Sequence, residues 1–342
     1  MQQQKMRILI RTAGGKEKNQ QLGMGHIYRM MNLAKEFKKA DILFLIEDFG
    51  GTKKVLKENG FENIERLKKN PSVSEDYNFT KRIAEKNKID IIIIDRFKAK
   101  FNYVKRISKK FDTVIVTDLK NIKYESKLLV NGFVGFENKI MENQFKTKCL
   151  IGPKFQILNK NFQKKNKIKN KSKKMKVLIT FGGIDEKNIL EKILEELIQF
   201  IDKVEFRIII GPLTKKPKKL YQLNKKFPDS IKIKNNIKNM QKEMSKVDFG
   251  ICAGGLTTYE FAAVGIPFAI ICDDKHQIIT ANEWEKRKIA INLGIVSDKT
   301  VQEITKTIKG VLNNKIRFNK KSMRIDGNGS KRVVSEILKI QQ

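Results

Sequence analysis

Histidine, cysteine, proline and tryptophan are all scarce in this 342-residue chain: two, three, six and one respectively. Three cysteines, Cys149, Cys252 and Cys272, stand far apart with no CxxC spacing, which excludes a disulfide framework and a cysteine zinc site. Cys252 and Cys272 sit in apolar runs and are expected to pack as small hydrophobes. No apolar run approaches the ~20 residues of a membrane span. The opening MQQQKMRILI has no signal-peptide hydrophobic region and leads straight into a strand pattern. A cytoplasmic protein is expected, with no membrane span.

Acidic residues are also few. Against 37 Asp and Glu stand 72 Lys and Arg, a formal charge of +35. Such an excess suits polyanions and anionic ligands. It is spread over the whole chain, however, and Lys, Asn and Ile are abundant together, which a compositional bias explains equally well. No specific nucleic-acid partner is expected, although background affinity for polyanions at low salt is.

What is present is an alternation of apolar runs and amphipathic stretches. RILIRT, DILFLIED, DIIIIDRF and TVIVTD are near-continuous apolar runs, as strands of a parallel sheet covered on both faces require. Between them HIYRMMNLAKEFKK, GTKKVLKENG, NFTKRIAEKNK and FNYVKRISKKF have helical spacing. This order predicts a doubly wound α/β domain over residues 1–150. A Lys- and Asn-rich stretch over 151–174 reads as a solvated linker.

The pattern then restarts over 175–330. KVLITFGG, EFRIIIG, DFGICAGG and PFAIIC read as strands, and NILEKILEELIQFI, TTYEFAAVG, TANEWEKRKIAINLG and VQEITKTIKGVLNN as helices. A single helix closes the chain over 331–342, too short for a further domain. The expected fold is therefore α/β with two Rossmann-like halves, which place ligands near the carboxyl ends of their strands in an interdomain cleft. A monomer is the default.

Three stretches carry candidate chemistry. In LGMGHIYR, Gly23 and Gly25 allow a tight turn into a helix, and His26 follows at once. The helix N-terminus suits an anionic ligand, and histidine suits general-base work near neutral pH. A surface or capping histidine would give the same string. Arg29, one helical turn on, either faces the ligand or ties down the turn. In FGGIDEKN, Gly182 and Gly183 make a second turn suited to phosphate.

The third stretch, ICAGGLTTYEFAAVGIPFAIICDDKHQ, is the most specific. Gly254 and Gly255 permit close backbone approach. Thr257 and Thr258 bring hydroxyls to the first helical turn, where they cap the helix or bind phosphate oxygens. Glu260 suits ribose hydroxyls, or simply the helix dipole. His276 and Gln277 lie just past the next strand.

Taken in order, LGMGHIYRMMNLA, IIIIDRF, VTDL, TFGGIDEKN, CAGGLTTYEFAAVGIPFAIIC, HQ and IDGNGSKRV resemble the UDP-2,4-diacetamido-2,4,6-trideoxy-β-L-altropyranose hydrolases of pseudaminic acid biosynthesis. That family is related to spore-coat polysaccharide proteins and MurG-like glycosyltransferases. The resemblance spans nearly the whole chain and implies a GT-B fold, no cofactor and no metal. It implies that His26 activates water, which displaces UDP at the anomeric carbon with inversion. Gly254, Gly255, Thr257 and Thr258 would hold the diphosphate, Glu260 the ribose, Gly182 and Gly183 the UDP side, and Gln277 the sugar side.

Two positions depart from the family pattern. Phe97 stands where it has a tyrosine, and His276 where it has an asparagine; both bear on the sugar and on the attacking group. The sequence thus leaves three readings. They are a UDP-sugar hydrolase, a GT-B glycosyltransferase using a UDP-sugar donor, and a non-catalytic nucleotide-sugar-binding protein. UDP release without an acceptor separates the first from the second, and UDP binding without turnover marks the third.

Overall fold

The structure is a computed structural model that describes residues 5–17, 20–47, 49–96, 99–163, 173–185, 187–235, 237–319 and 325–341. The chain divides into two units, Met1–Lys160 with Gly327–Gln342, and Asn161–Asp326. Part of the expected linker, residues 164–172, lies outside the described residues.

In the first unit, β1 (Met6–Thr12) runs into a hairpin, β2 (Gly15–Glu17) and β3 (Gln20–Gly23), and then into α1 (Gly25–Ala34). There follow β4 (Ala40–Glu47), α2 (Thr52–Glu58), β5 (Ile64–Leu67), α3 (Val73–Lys86), β6 (Ile91–Asp95), α4 (Phe101–Ser108) and β7 (Asp112–Val116). Three short strands, β8 (Leu128–Asn131), β9 (Lys139–Glu142) and β10 (Lys148–Ile151), end this part. The eight-stranded sheet has the order β5-β4-β1-β6-β7-β8-β10-β9 and is parallel except for β9. The four apolar runs read as strands form β4, β1, β6 and β7, side by side. β5, the hairpin and β8 to β10 escape that reading because they are short or half polar. The sequence of α3 shows why it starts earlier than its apolar pattern: Ser72 accepts from the Glu75 amide while the Glu75 carboxylate accepts from the Ser72 amide, closing a capping box.

The second unit is built on β11 (Met175–Thr180), α5 (Ile189–Leu197), β12 (Val204–Ile210), α6 (Lys218–Lys226), β13 (Ile231–Asn235), α7 (Met240–Met244) and β14 (Phe249–Cys252). It continues with α8 (Leu256–Val264), β15 (Phe268–Cys272), α9 (Lys275–Lys286), β16 (Ala290–Ile295) and α10 (Asp298–Leu312). Its six strands are all parallel, in the order β13-β12-β11-β14-β15-β16. One expectation needs correction. TANEWEKRKIAINLG is not helical throughout: α9 stops at Lys286, Lys288 takes φ +54°, and AINLGI becomes the edge strand β16. Ladder bonds to β15 outweigh the helical spacing of the short segment. Cys149, Cys252 and Cys272 are free and buried, as expected for Cys252 and Cys272.

The last helix, α11 (Gly329–Leu338), belongs to the first unit. Ser330 Oγ donates to Leu158 O at 2.6 Å, and Lys148 pairs with Glu336 at 2.6 Å. A Cβ on Gly329 would lie 2.0 Å from Gln156 O and 2.7 Å from its carbonyl carbon, so only glycine lets the helix seat. Gly329→Ala is therefore expected to destabilise the first unit by about 1–3 kcal/mol or more, because backbone blocks the methyl. Thermal denaturation checks this, and an unchanged melting temperature would contradict the seating described.

Candidate active site

Both sheets reverse their strand order beside the first strand of the unit. In the first unit this switch point lies between β1 and β6, with Thr12 in register with Asp95. In the second it lies between β11 and β14, with Thr180 in register with Cys252. Doubly wound sheets bind ligands at the carboxyl ends of these strands. The sequence candidates that fall there by topology alone are His26 after β1, Gly182 and Gly183 after β11, and the Gly254–Gly255 pair after β14.

At the first switch point Gly23 has φ +67°, which glycine tolerates, and among the described residues, chain neighbours aside, nothing lies within 4 Å of where a Cβ on Gly23 or Gly25 would stand. His26 is the second residue of α1. Its Nδ1 lies 2.7 Å from Asp95 Oδ1. Two lone pairs cannot share that distance, so the proton belongs on Nδ1 and the basic lone pair on Nε2.

Asp95 is fully buried at the end of β6. Arg29, also buried, bonds it twice, Nε to Oδ2 at 2.8 Å and Nη2 to Oδ1 at 2.6 Å. The same guanidinium reaches Asp118, just past β7, at 2.5 Å through Nη1 and 3.1 Å through Nη2. Burial by itself raises the Asp95 carboxyl, but Arg29 and then His26 overcome this and hold it below the usual carboxylate range. Burial likewise opposes the charge of Arg29, and Asp118 and Asp95 together outweigh it. Donor atoms of His26, Asp95 and Asp118 lie within 4.8 Å of one another, a spacing that suits a metal ion. Arg29 bonds both carboxylates, which makes the cluster an ion-pair network around a protein cation.

Asp95 and Asp118 are not among the residues that the sequence singles out as a site. Their strings, IIIIDRF and VTDL, enter as strand ends and through the resemblance, with no role given to either carboxylate. The legible signal is a carboxylate ending a run of four isoleucines. A charge there is costly unless it is paired. Arg29 ties down the histidine turn through these two residues. Phe97 lies outside the described residues.

At the second switch point α8 begins after Gly255 with no side-chain cap; the Thr258 amide turns back to Gly255 O at 3.2 Å, which leaves the Leu256 and Thr257 amides for an anion. Among the described residues, a Cβ on Gly255 would meet nothing within 4 Å beyond its chain neighbours, whereas one on Gly254 would meet Gln277 Cβ at 2.7 Å. Gln277 Oε1 accepts from the amides of Gly254 (2.9 Å) and Asp273 (3.0 Å), bracing the two loops together. Gln277 therefore shapes the glycine turn, and its carbonyl is spent on the fold. His276, exposed in the first turn of α9, contacts Asp274, whose carboxylate caps that helix.

Thr257 and Thr258 part company. Thr257 is partly buried and its hydroxyl makes no hydrogen bond among the described residues. Thr258 is fully buried; its hydroxyl donates to Gly255 O at 2.8 Å and accepts from Trp284 Nε1 at 2.9 Å. The expected diphosphate contact from the Thr258 side chain is corrected accordingly: neighbouring residues of a helix face different ways, and this one faces the core.

Glu260 is partly buried on α8, with no hydrogen bond or ion pair among the described residues. Burial raises its carboxyl to about 7. Gly182 has φ +71° and open space at its Cβ position. The turn it makes with Gly183 is packed by Gly211, where a Cβ would come 2.2 Å from Gly182 O. Nothing in the sequence marks Gly211 for this task. At the head of α5 the amides of Ile189 and Leu190 are already bonded to Asp185, at 2.8 and 2.9 Å. That helix end is thereby closed to phosphate, unlike the head of α8.

Comparison with known proteins defines the class. Residues 152–337, more than half of the chain, match the glycosyltransferase family 28 C-terminal domain, and the chain belongs to that family. Its two parallel-sheet units have the GT-B fold. MurG of Acinetobacter baumannii matches with TM-score 0.64 at 15% identity, over 97% of this chain and 99% of that one. Staphylococcus aureus MnaA, solved with UDP, matches at 0.61 and 12% identity, over 97% and 96%.

Two curated relatives are similar in sequence. Spore coat polysaccharide biosynthesis protein SpsG of Bacillus subtilis is 26% identical over 86% of this chain and 87% of its own length. Uncharacterized protein MJ1062 of Methanocaldococcus jannaschii is 33% identical over 82% of this chain and 59% of its own length. The chain thus spans about three fifths of the archaeal relative. Among the described residues no helix is long and apolar enough to cross a membrane.

Proposed function

We propose that this protein is an enzyme that hydrolyses a UDP-sugar, releasing UDP from a diacetamido-trideoxy hexose during synthesis of a nonulosonic acid of the pseudaminic type. The observation that carries the reading is the His26–Asp95 pair at the head of α1, a base whose acceptor nitrogen is fixed by a buried carboxylate. Support for the nucleotide comes from the uncapped α8 head and from MnaA, which was solved with UDP. Support for the pathway comes from the motif resemblance and from the role in SpsG's name.

In this scheme the free amides at the head of α8, Gly255 and the Thr257 hydroxyl hold the diphosphate, and Gly254, its amide bonded to Gln277, shapes the turn that borders it. Gly182 and Gly183 border it, and Glu260 takes the ribose hydroxyls. His26 Nε2 removes a proton from water as the water oxygen bonds to the anomeric carbon. The bond from that carbon to the phosphate oxygen breaks, and UDP leaves with the electron pair, its charge stabilised by the helix head. The product is the inverted free sugar. Arg29 supplies the network's cation, and no step calls for a metal.

A second reading is a GT-B glycosyltransferase with a UDP-sugar donor, favoured by the family 28 domain and by His276 beside Gln277. It uses the same base on an acceptor hydroxyl. Incubation of UDP-linked diacetamido-trideoxy sugars separates the two: release of UDP without acceptor supports hydrolysis, release only once an acceptor is added supports transfer, and UDP binding without release in either case marks a non-catalytic binder.

The Glu260 assignment has a pH consequence. Ribose hydroxyls donate to the ionised carboxylate and favour it over the acid. Because the unliganded carboxyl is raised to about 7, UDP binding is expected to release a proton near pH 7 and to tighten as pH rises from 6 to 8. Calorimetric titration in buffers of different ionisation enthalpy reads this proton. Weaker binding at pH 8 than at pH 6 would contradict the assignment.

A further inference from the structure

The second switch point carries a cation that none of the candidate motifs assigns. β14 lies between β11 and β15 in the sheet, and the head of α8 follows its carboxyl end. Lys187 belongs to the loop after β11, and Asp273 directly follows β15. Lys187 Nζ donates to Asp273 O at 2.7 Å. A side chain that joins these two loops has to cross the carboxyl end of the strand between them. Asp273 is itself drawn to the glycine turn, since its amide and that of Gly254 share Gln277 Oε1. The exposed ammonium of Lys187 therefore sits beside the turn that leads to the open Leu256 and Thr257 amides.

An anion bound there needs such a charge. A helix head offers roughly half a positive charge, far less than a diphosphate carries. The surrounding side chains oppose it. Burial and then Asp185 raise the Asp273 carboxyl to about 6, while Lys187 works against them, so above that pH a carboxylate stands at the same edge. Asp274, the next residue, caps α9. Lys192 of α5 and Lys219 of α6 are paired with Asp298 and Glu195. An ammonium has three protons, and Asp273 O takes one from Lys187.

A second observation points to an oxygen-bearing ligand at the same place. Thr180, the last residue of β11, is 1% exposed, and its hydroxyl has no hydrogen bond among the described residues. A Cβ on Gly250 would meet the Phe261 ring at 2.3 Å, which sets α8 on the Gly250 face of the sheet. Cys252 shares that face, two residues on, and Thr180 is its register partner. The hydroxyl thus lies on the α8 side at the switch point. A buried hydroxyl without a partner is destabilising, and a ligand oxygen or its bound water relieves this.

We propose that Lys187 is the cation of the diphosphate site: its ammonium turns from Asp273 O onto the phosphate oxygens and meets the charge that develops as UDP departs. The inference rests on the reading of the α8 head as the UDP site. No proton moves in this step. As the bond from the anomeric carbon to the phosphate oxygen breaks, that oxygen takes the electron pair, and the positive charge beside it favours departure.

The test reads binding and needs no sugar. UDP is titrated by calorimetry, and uridine by ligand-observed NMR, into the parent, Lys187→Gln and Lys187→Arg at pH 8, at low and high salt. Lys187→Gln is expected to weaken UDP about tenfold or more, to leave uridine within twofold and to flatten the salt dependence of UDP binding. Lys187→Arg is expected to stay within a few-fold of the parent, because the charge is what acts. Glutamine keeps an N–H for Asp273 O, and loosening of the two loops alone has no reason to spare uridine or to change the response to salt.

Equal UDP affinity in Lys187→Gln and the parent, or a loss of the same size for uridine, overturns the proposal and leaves the UDP site standing. So does a loss that arginine does not restore. A parent that binds no UDP overturns the reading of the α8 head, and the role of Lys187 with it.

Discussion

His26→Ala is expected to lower UDP-sugar turnover about 10²–10⁴-fold while UDP affinity stays within a few-fold. General-base catalysis by a placed side chain is worth about that range. The small effect on UDP follows from where the parts lie in the chain. The residues assigned to the nucleotide site, Gly182, Gly183, Gly254, Gly255, Thr257 and Glu260 among them, are all in the second unit, whereas His26 heads α1 of the first. Asp95→Asn is expected to approach the same loss, because an amide at that position no longer dictates the proton on Nδ1. Steady-state rates with direct measurement of UDP binding check both. Full activity in His26→Ala would remove the histidine from the chemistry, and a collapse of UDP binding would recast it as a binding residue.

Glu260→Gln is expected to act in opposite directions on binding and on stability. The carboxyl is raised by burial from 4.5 to about 7. For an acid raised in the folded state, the unfolded chain loses its proton first. The group's relative contribution to stability is therefore highest below pH 4.5, falls between 4.5 and 7, and stays at its lowest above 7. Holding a carboxyl one pH unit above its ordinary value costs the ionised form about 1.4 kcal/mol, so at pH 8 this side chain costs the unliganded protein roughly 2–4 kcal/mol. Glutamine removes that cost.

The same change weakens ribose contacts made to a charged acceptor, each worth about 1.5–3 kcal/mol, so UDP affinity falls about tenfold or more. Thermal denaturation at pH 8 and UDP titration then move apart, one up and one down. A glutamate that merely complements the α8 dipole would give neither the gain in melting temperature nor the loss of affinity.

Much of this arrangement is legible in the sequence because it rests on local rules. Continuous apolar runs mark β1, β4, β6 and β7, and glycines after β11 and β14 mark the turns at a switch point. What escapes depends on partners distant in sequence. The string TTYE does not show that Thr257 stays open to a ligand while Thr258 turns inward to Trp284. Arg29 looks equally suited to ligand or scaffold until Asp95 and Asp118, more than sixty residues away, close around it. Gly211 gives no sign of its task, since the backbone that it packs is contributed by Gly182 and Gly183. The segment AINLGI misleads in the other direction. Its spacing suits a helix, and only the neighbouring edge of β15 makes it a strand.

The central claim is that water, activated by His26, displaces UDP without an acceptor. The measurement that bears on it most directly is UDP release from a panel of UDP-linked diacetamido-trideoxy sugars, with EDTA present and no acceptor added, for the parent protein and for His26→Ala. The account predicts rapid release for one sugar, insensitive to EDTA, and its loss in the variant. Tight UDP binding with no release from any of them would contradict the hydrolase and leave the transferase or a non-catalytic nucleotide-sugar-binding protein.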